Sequence, residues 1–256
     1  MSQPSGAPEL WLRRYRPSAT ATARLVCLAH AGGSASFFLP VAAALSPHVD
    51  VVAVQYPGRQ DRRNEKPVTD LHVLSAQVHE ILRSQDDLPV SFFGHSMGAS
   101  LAFEVIRRFE AEGRRPVRLF ASGRRAPSIY REERVHRLDD AGLLAEIRRL
   151  NGTSSLVLND DELMRAALPA LRADYQAAET YQGEPGATVD TPITAMTGDA
   201  DPKTSLDDAR AWEKHTTAEF DLEVFPGGHF FLSDRTAAVI GVLDQHLRTH
   251  RTMGKP

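Results

Sequence analysis

The sequence contains a single cysteine, Cys27, among its 256 residues. One cysteine cannot form an intramolecular disulfide, and it cannot supply the several thiolates of a cysteine-rich metal site. A chain without such cross-links is typical of a reducing compartment, and we expect a cytoplasmic location.

Long apolar segments and an excess of one charge are also missing. No stretch of 18 consecutive apolar residues occurs, and the first residues lack the apolar core of a signal peptide. The 30 lysines and arginines nearly balance 33 acidic residues, for a formal net charge of -3. We therefore expect no membrane insertion and no bulk electrostatic attraction to nucleic acid.

Short apolar runs alternate along the chain with segments of helical periodicity. The predicted strands lie at 25–29, 49–54, 90–93, 117–121, 193–196 and 222–225. The predicted helices lie at 36–45, 70–84, 97–111, 206–215 and 233–248. This alternation predicts an α/β fold with a mostly parallel sheet flanked by helices, and we expect residues 1–256 to form a single domain.

One segment interrupts the alternation. From about 127 to 188 no strand is predicted, and two helical patterns run over 139–150 and 160–181. An insertion at this point lies over the carboxyl ends of the strands, where such sheets bind ligands. We therefore expect a helical lid at about 127–188.

Ser96 stands between two glycines in the segment GHSMG at 94–98. An apolar run precedes this segment and an amphipathic helical pattern follows it, which is the context of a G-x-S-x-G nucleophile elbow. The glycines permit a tight turn from strand to helix with the serine at its tip. The alternative, a chance match at an ordinary N-capping serine, is disfavoured by this strand-turn-helix context.

A serine hydroxyl needs a base to remove its proton, and histidine is the usual choice. Of the ten histidines, His229 follows the last predicted strand, where the chain order of an α/β-hydrolase triad has its base. The competitors are His30, His95 and His215. His95 would point away from the substrate if Ser96 points toward it, and we expect His30 to shape the loop in which it lies.

The acid that orients this histidine should follow another strand, between Ser96 and His229. The segment GDADP at 198–202 offers Asp199 and Asp201. Asp201 precedes a proline, which biases its backbone toward an extended geometry, so we favour Asp201 and treat Asp199 as the turn-forming residue. The order Ser96, Asp201, His229 is that of an α/β-hydrolase.

The first predicted strand leads into HAGG at 30–33, a loop whose N–H groups suit an oxyanion hole. We expect the two donors to be the backbone amides of Ala31 and Met97. A simple glycine-rich turn is compatible with the same residues. The patterns G-x-x-x-x-G-K-[ST] and G-x-G-x-x-G do not occur, which disfavours a phosphate-binding loop.

Six motifs together carry a family resemblance. They are HAGG at 30–33, QYPGR at 55–59 followed by Arg62, GHSMG at 94–98, SGRRAP at 122–127, GDADP at 198–202 and PGGHFF at 226–231. From about 25 to 248, the chain resembles the stand-alone type II thioesterases of polyketide and nonribosomal peptide synthesis. The resemblance implies a monomer that hydrolyses stalled or misprimed acyl groups from the phosphopantetheine arm of an acyl or peptidyl carrier protein. It also supports Ser96, Asp201 and His229 as the triad, together with a mobile lid.

Thioester hydrolysis through an acyl-serine needs no metal and no organic cofactor. Candidates for the acyl pocket are Phe37, Phe38, Met97, Tyr175, Phe230 and Phe231, although apolar residues are more often core. Candidates for contact with an acidic carrier protein or with the phosphate of its arm are Arg124, Arg125, Arg131 and Arg134. The alternative is that these arginines pair with nearby acids, and Arg59 and Arg62 are similarly open as residues that pin loops together.

Two other functions remain open. One is a general carboxylesterase or lipase acting on free small esters, against which the SGRRAP motif weighs. The other is a noncatalytic carrier-binding module that kept the fold, against which the complete set of Ser96, Asp201 and His229 weighs. The preferred length of the acyl chain stays undetermined at this point.

Overall fold

The computed structural model describes residues 8–85, 88–150 and 161–253. Seven strands in these ranges form one sheet: β1 (Leu12–Arg13), β2 (Ala23–Leu28), β3 (Val49–Val54), β4 (Val90–His95), β5 (Leu119–Ser122), β6 (Ile193–Gly198) and β7 (Phe220–Phe225). Their order is β1-β3-β2-β4-β5-β6-β7, and every neighbouring pair is parallel except β1 with β3. The predicted mostly parallel sheet is therefore confirmed.

Helices flank the sheet. They are α1 (Pro8–Trp11), α2 (Leu39–Leu45), α3 (Leu71–Leu82), α4 (Met97–Ala111), α5 (Asp140–Leu150), α6 (Asp161–Thr180), α7 (Leu206–Arg210), α8 (Phe231–Asp234) and α9 (Thr236–Met253). Helix α3 packs against α4, and α2 packs against α9. All residues of β2, β3 and β6 are buried, as expected where helices cover a parallel sheet. Among the helices described, none combines the length and apolar character needed to span a membrane.

The six predicted strands are all present, with ends that shift by two residues at most. Strand β1 was not predicted, because two residues at a sheet edge are too few to display an alternating pattern. Three predicted helices are divided. The helices predicted at 36–45 and 206–215 each contain a 3-10 segment, at Ala35–Phe38 before α2 and at Ala211–His215 after α7. The helix predicted at 233–248 is interrupted at Arg235, between α8 and α9.

The chain between β5 and β6 contains α5 and α6 and, among its described residues up to position 188, no strand. These two helices match the predictions at 139–150 and 160–181, although Asp160 lies outside the described residues. Their apolar faces form a hydrophobic cluster separate from the main core, made of Leu143, Ile147, Met164, Leu168 and Leu171. The insertion therefore has a small hydrophobic core of its own.

The start of α4 approaches β2 backbone to backbone. Leu28 of β2 lies opposite Gly94 of β4 in the parallel register. A Cβ atom at Gly98 would lie 2.0 Å from the Leu28 carbonyl oxygen, and one at Gly94 would lie 2.1 Å from the Gly98 carbonyl oxygen. Both positions flanking Ser96 therefore exclude any side chain.

Gly98→Ala should lower the free energy of unfolding by about 1–3 kcal/mol, because its methyl group would overlap a backbone carbonyl. Gly241→Ala is the matched control, since a Cβ at this glycine of α9 meets no atom within 4 Å. There the higher helix propensity of alanine should raise stability by about 0.5–1 kcal/mol. Urea unfolding of both variants checks this, and equal effects would contradict the proposed backbone contact.

Candidate active site

Ser96 occupies the sharp turn between β4 and α4, with φ 54° and ψ -117°. A non-glycine residue at such a positive φ is strained, at a cost of order 1–3 kcal/mol. The Ser96 N–H donates to the Ser122 carbonyl oxygen at 2.7 Å, which helps to hold the turn. The Ser96 side chain makes no capping hydrogen bond to α4, so its Oγ is available to another group.

That group is His229. Ser96 Oγ lies 3.1 Å from His229 Nε2, and His229 Nδ1 lies 2.9 and 3.0 Å from the two carboxylate oxygens of Asp201. A carboxylate can only accept, so Nδ1 carries the proton and Nε2 is left to accept from the serine hydroxyl. The Asp201 side chain is fully buried and also accepts from the Lys203 N–H at 2.8 Å. This array can remove the proton from the Ser96 hydroxyl.

The sheet brings these side chains together from distant parts of the chain. Ser96 follows β4, Asp201 follows β6 and His229 follows β7. Strands β6 and β7 are parallel neighbours with Gly198 opposite Phe225, so the loops that follow them begin side by side. All three side chains therefore meet at the carboxyl edge of the sheet, where open α/β sheets bind ligands.

The rival residues have other partners. Asp199 Oδ1 accepts from the Gly227 N–H at 2.9 Å, which is the turn-forming role expected for it. The ring nitrogens of His215 lie 2.8 Å from the Ala187 carbonyl oxygen and 2.8 Å from Ser128 Oγ. Neither Asp199 nor His215 is hydrogen-bonded to the side chains of Ser96 or His229.

The rings of His30 and His95 pack against each other, and His95 also packs against the ring of His229. His95 is fully buried, with Nδ1 3.0 Å from Ser122 Oγ, and it does not line the cavity at Ser96. The edges of the His30 ring contact Phe37 and Phe230, with ring centroids 4.7 and 4.8 Å apart. Burial, followed by the neighbouring His229 and Arg59, lowers the pKa of His30 to about 3, and burial also lowers the pKa of His95. Both rings are therefore neutral at pH 7.

The two backbone N–H groups expected to act as oxyanion donors make no hydrogen bond to the part of the chain that the structure describes. The N–H groups of Ala31 and Met97 have no acceptor among the described residues, whereas the Gly32 N–H donates to Asp174 Oδ2 at 2.8 Å. Met97 begins α4, and the first N–H groups of a helix lack an intrahelical partner. Because β2 and β4 are neighbours, the two loops that carry these donors begin side by side.

A buried ion pair joins the HAGG loop to α6. Arg59 Nη1 and Nη2 donate to the two oxygens of Asp174 at 2.7 and 2.8 Å, with the two side chains 8% and 2% exposed. Arg59 Nη1 also donates to the Gly33 carbonyl oxygen at 3.0 Å, while Asp174 accepts from Gly32. We call Arg59, Asp174 and the backbone of Gly32 and Gly33 the loop clamp.

Sequence reasoning included Arg59 as a loop-pinning residue but missed Asp174. The available signal was an acidic side chain on the buried face of α6, three residues after Leu171, where a charge requires a partner. Arg62 pins a loop as well, because Nη1 donates to the Gln55 carbonyl oxygen at 2.7 Å and the guanidinium stacks over the ring of Trp11.

A cavity of about 150 Å³ opens at Ser96 and His229. Helices α5 and α6 give it an apolar lining of Ile147, Leu150, Met164, Ala167, Leu171, Tyr175 and Ala178. Polar side chains also line it, namely Arg124, Arg125, Glu133, Glu179, Lys203 and Thr204. The cavity therefore presents a mixed surface, and most of its apolar lining lay outside the predicted pocket residues.

The structure corrects part of the predicted pocket. Tyr175 and Phe230 line the cavity at Ser96, but Phe37 and Phe38 line a different cavity, beside α9. The physical reason is the packing of the 3-10 turn before α2, where Phe38 is fully buried against the ring of Phe93 and Phe37 packs against the ring of His30. Met97 and Phe231 are likewise core residues.

The arginines of the SGRRAP segment and the chain that follows it lie mostly in ion pairs. These are Arg125 with Glu133, Arg131 with Asp208 and Arg134 with Glu132. Arg125 is only 5% exposed, so the expectation that it meets the surface of a carrier protein is corrected by its burial. Arg124 differs, since no carboxylate pairs with it in the described ranges.

Glu133 extends these pairs into a network. Lys203 Nζ lies 2.8 Å from Glu133 and 2.9 Å from Glu146 of α5. Burial tends to raise the pKa of Glu133, but Lys203 and Arg125 outweigh it and lower that pKa to about 2. The network thus connects the loop of Asp201 to the inserted helices.

Asp174→Leu should lower the free energy of unfolding by about 3–5 kcal/mol, because it leaves the Arg59 charge buried without a partner. The double variant Asp174→Leu/Arg59→Met should recover a large part of this loss, since no charge then remains buried. Urea unfolding measures both. A loss below about 1 kcal/mol in the single variant would show that the pair is not buried as described.

Acidification should destabilise the fold through His30. An unfolded histidine has a pKa near 6.5, whereas burial, then His229 and Arg59, holds the folded pKa at about 3. Between these values only the unfolded chain binds the proton, so the contribution is complete above about pH 6.5 and is lost as the pH falls toward 3. From pH 7.5 to 5.5, this histidine should account for about 1 kcal/mol of lost stability. His30→Gln should show a correspondingly shallower pH dependence in urea unfolding, and identical slopes would refute this assignment.

Comparison with known proteins agrees with the site and the fold. A family model described as "Thioesterase domain" matches residues 23–247. A probable cadicidin biosynthesis thioesterase of Streptomyces griseus is 52% identical over 241 residues, covering 94% of this chain and 67% of that protein. Thioesterase PikA5 of Streptomyces venezuelae is 47% identical over 244 residues, covering 94% of this chain and 87% of that protein.

The structural comparison is equally close. The type II thioesterase BorB from the borrelidin biosynthetic cluster superposes with a TM-score of 0.89 at 51% identity, covering 95% of this chain and 100% of that chain. These similarities confirm the predicted α/β-hydrolase fold and the resemblance to type II thioesterases. The chain belongs to the thioesterase family.

Proposed function

We propose that this protein is an editing thioesterase that hydrolyses acyl groups from the phosphopantetheine arm of a carrier protein in polyketide or nonribosomal peptide synthesis. The observation that carries the proposal is the array of Ser96, His229 and Asp201 at the mouth of a cavity with an apolar lining. The similarity to a cadicidin biosynthesis thioesterase and to a type II thioesterase from the borrelidin cluster supports the biosynthetic context.

The proposed reaction has two halves. In the first, Ser96 Oγ attacks the thioester carbonyl carbon while His229 Nε2 takes its proton, and collapse of the intermediate breaks the C–S bond as that proton passes to the leaving sulfur. In the second, water attacks the acyl-serine, His229 takes the proton of the water, and Ser96 recovers it as the acid leaves. Asp201 keeps His229 in the required tautomer and stabilises its charged form.

The N–H groups of Ala31 and Met97 are the candidate donors that would stabilise the negative charge on the carbonyl oxygen of the substrate. Removing one such donor costs on the order of 3 kcal/mol in the barrier of comparable enzymes. The loop clamp supports this assignment, because it holds Gly32 and Gly33, directly after Ala31, from two sides.

The segment at about 127–188 is proposed to act as a lid of the single domain. Its helices α5 and α6 supply most of the apolar lining of the cavity, so a substrate reaches Ser96 along them. The carrier protein would remain outside while its arm enters. Arg134 stays exposed at the start of this segment and is available to an acidic carrier surface.

The test is hydrolysis of the same acyl groups on a carrier protein and on a small thiol. Wild type should clear the carrier-bound groups faster, and Ser96→Ala should reduce the rate by at least about 10⁴-fold. Asp201→Asn should lower kcat by about 10⁴-fold because it favours the wrong tautomer of His229. Asp199→Asn is the matched control, since its side-chain oxygen can still accept from Gly227, and it should retain most of the activity.

Other outcomes separate the alternatives. Free small esters cleaved as well as carrier-bound groups would indicate a general carboxylesterase, with the Ser96 assignment intact. A wild type that binds the carrier but cleaves neither substrate, and that resists a fluorophosphonate label at Ser96, would indicate a noncatalytic binding module.

A further inference from the structure

One cation on the wall of the cavity, Arg124, forms no ion pair with a carboxylate among the residues that the structure describes. Arg124 lies two residues beyond β5 and lines the same cavity as Ser96 and His229. Its Nε donates to Ser100 Oγ at 3.0 Å, and its Nη2 donates to the Ala178 carbonyl oxygen at 2.8 Å. A guanidinium has five N–H donors, so three of them have no acceptor within the described part of the chain.

The charge of Arg124 persists in this position. Burial, and then the charge of Arg125, lowers the pKa of Arg124 to about 10, which leaves it protonated at pH 7. Arg125 itself pairs with Glu133 and is thereby neutralised. A charged donor that is partly exposed to the cavity and pairs with no carboxylate among the described residues favours a ligand that brings an acceptor oxygen.

Part of Arg124 has a structural role. Ser100 belongs to α4, and Ala178 lies in the last turn of α6, where helix carbonyl groups lack intrahelical partners. The two hydrogen bonds therefore tie α6 to α4. They use two of the five donors and leave the others facing no protein acceptor.

We propose that Arg124 forms a subsite for an acceptor oxygen carried on the acyl chain, such as a keto or hydroxyl oxygen beyond the thioester carbonyl. The proposal rests on the thioesterase function proposed above and specifies its substrate class as short oxygenated acyl groups. Residues such as Ile147 and Leu171 would contact the carbon chain, while Arg124 would bind its oxygen.

The remaining N–H groups of Arg124 would discriminate between acyl chains that carry an acceptor oxygen and plain alkyl chains. A plain alkyl chain would exclude water from Arg124 without offering an acceptor, and a buried donor without a partner is unfavourable. A site built to hydrogen-bond a substrate group therefore rejects the analogue that lacks it. The cavity of about 150 Å³ at Ser96 is large enough to admit a short acyl chain. Five-carbon acyl groups are accordingly suitable probes.

The experiment compares pantetheine thioesters of pentanoic, 3-oxopentanoic and 4-oxopentanoic acid. In wild type, kcat/KM for at least one oxo substrate relative to pentanoyl should exceed the same ratio in Arg124→Met by about tenfold or more. Arg124→Lys should retain part of this preference, because it keeps a charged donor. Each ratio compares two substrates on one enzyme sample, so partial misfolding of a variant cancels. Intrinsic reactivity cancels when the ratios of two enzymes are compared.

Arg83→Met is the matched control, because it removes an exposed arginine that does not line the cavity, and its ratios should equal those of wild type. Equal ratios in wild type and Arg124→Met would overturn the proposal. The same series on N-acetylcysteamine identifies the contacted group. Arg124→Met could instead lower kcat/KM equally for all acyl groups, and only when they are carried on pantetheine. That result would assign the contact to the pantetheine arm and would overturn the acyl subsite.

Failure of the proposed function gives a different result. In that case wild type would hydrolyse none of the thioesters beyond the rate of Ser96→Ala. Hydrolysis that depends on Ser96 but shows no effect of Arg124 on the ratios would overturn the subsite alone.

Discussion

The buried ion pair of Arg59 and Asp174 is the interaction on which the organisation of the site depends. It joins three parts of the chain that are distant in sequence: the HAGG loop, the loop of the QYPGR motif and helix α6. Two charges in so buried a place are unfavourable unless each is fully hydrogen-bonded. Here the backbone of Gly32, Gly33 and Pro57 supplies the remaining hydrogen bonds. A displacement of α6 at this point would therefore leave both charges unpaired and would also loosen the HAGG loop.

The second constraint is the close contact of backbones around Ser96. Strands β2 and β4 are neighbours in parallel register, which brings Leu28 beside the elbow and leaves no room for side chains at Gly94 and Gly98. The strained φ of Ser96 persists because this packing and the hydrogen bond to Ser122 determine the turn. The strain has a chemical consequence, since it directs Oγ away from α4 and toward His229.

The insertion contributes to the site through two kinds of contact. Its apolar faces form their own cluster and line the cavity, whereas its carboxylates Glu133 and Glu146 pair with Lys203 of the main fold. The network includes Lys203, two residues after Asp201, so the position of α5 and the position of the acid are physically coupled. The resulting cavity has apolar and polar walls, which distinguishes it from a simple alkyl pocket.

The order of strands and helices, the candidates Ser96, Asp201 and His229, and the HAGG loop were all readable from the sequence. Each depends on local periodicity or on residues within a few positions of a strand end, and the parallel sheet then brings those ends to one edge. The partnership of Arg59 with Asp174, 115 positions apart, was decided only by the tertiary structure. The tertiary structure alone also decided that Phe38 and Arg125 are buried, away from their predicted roles, and that Arg124 pairs with no carboxylate among the described residues. Local sequence cannot specify such contacts, because they depend on how α6 packs against the rest of the fold and on which carboxylate lies within ion-pairing distance of each arginine.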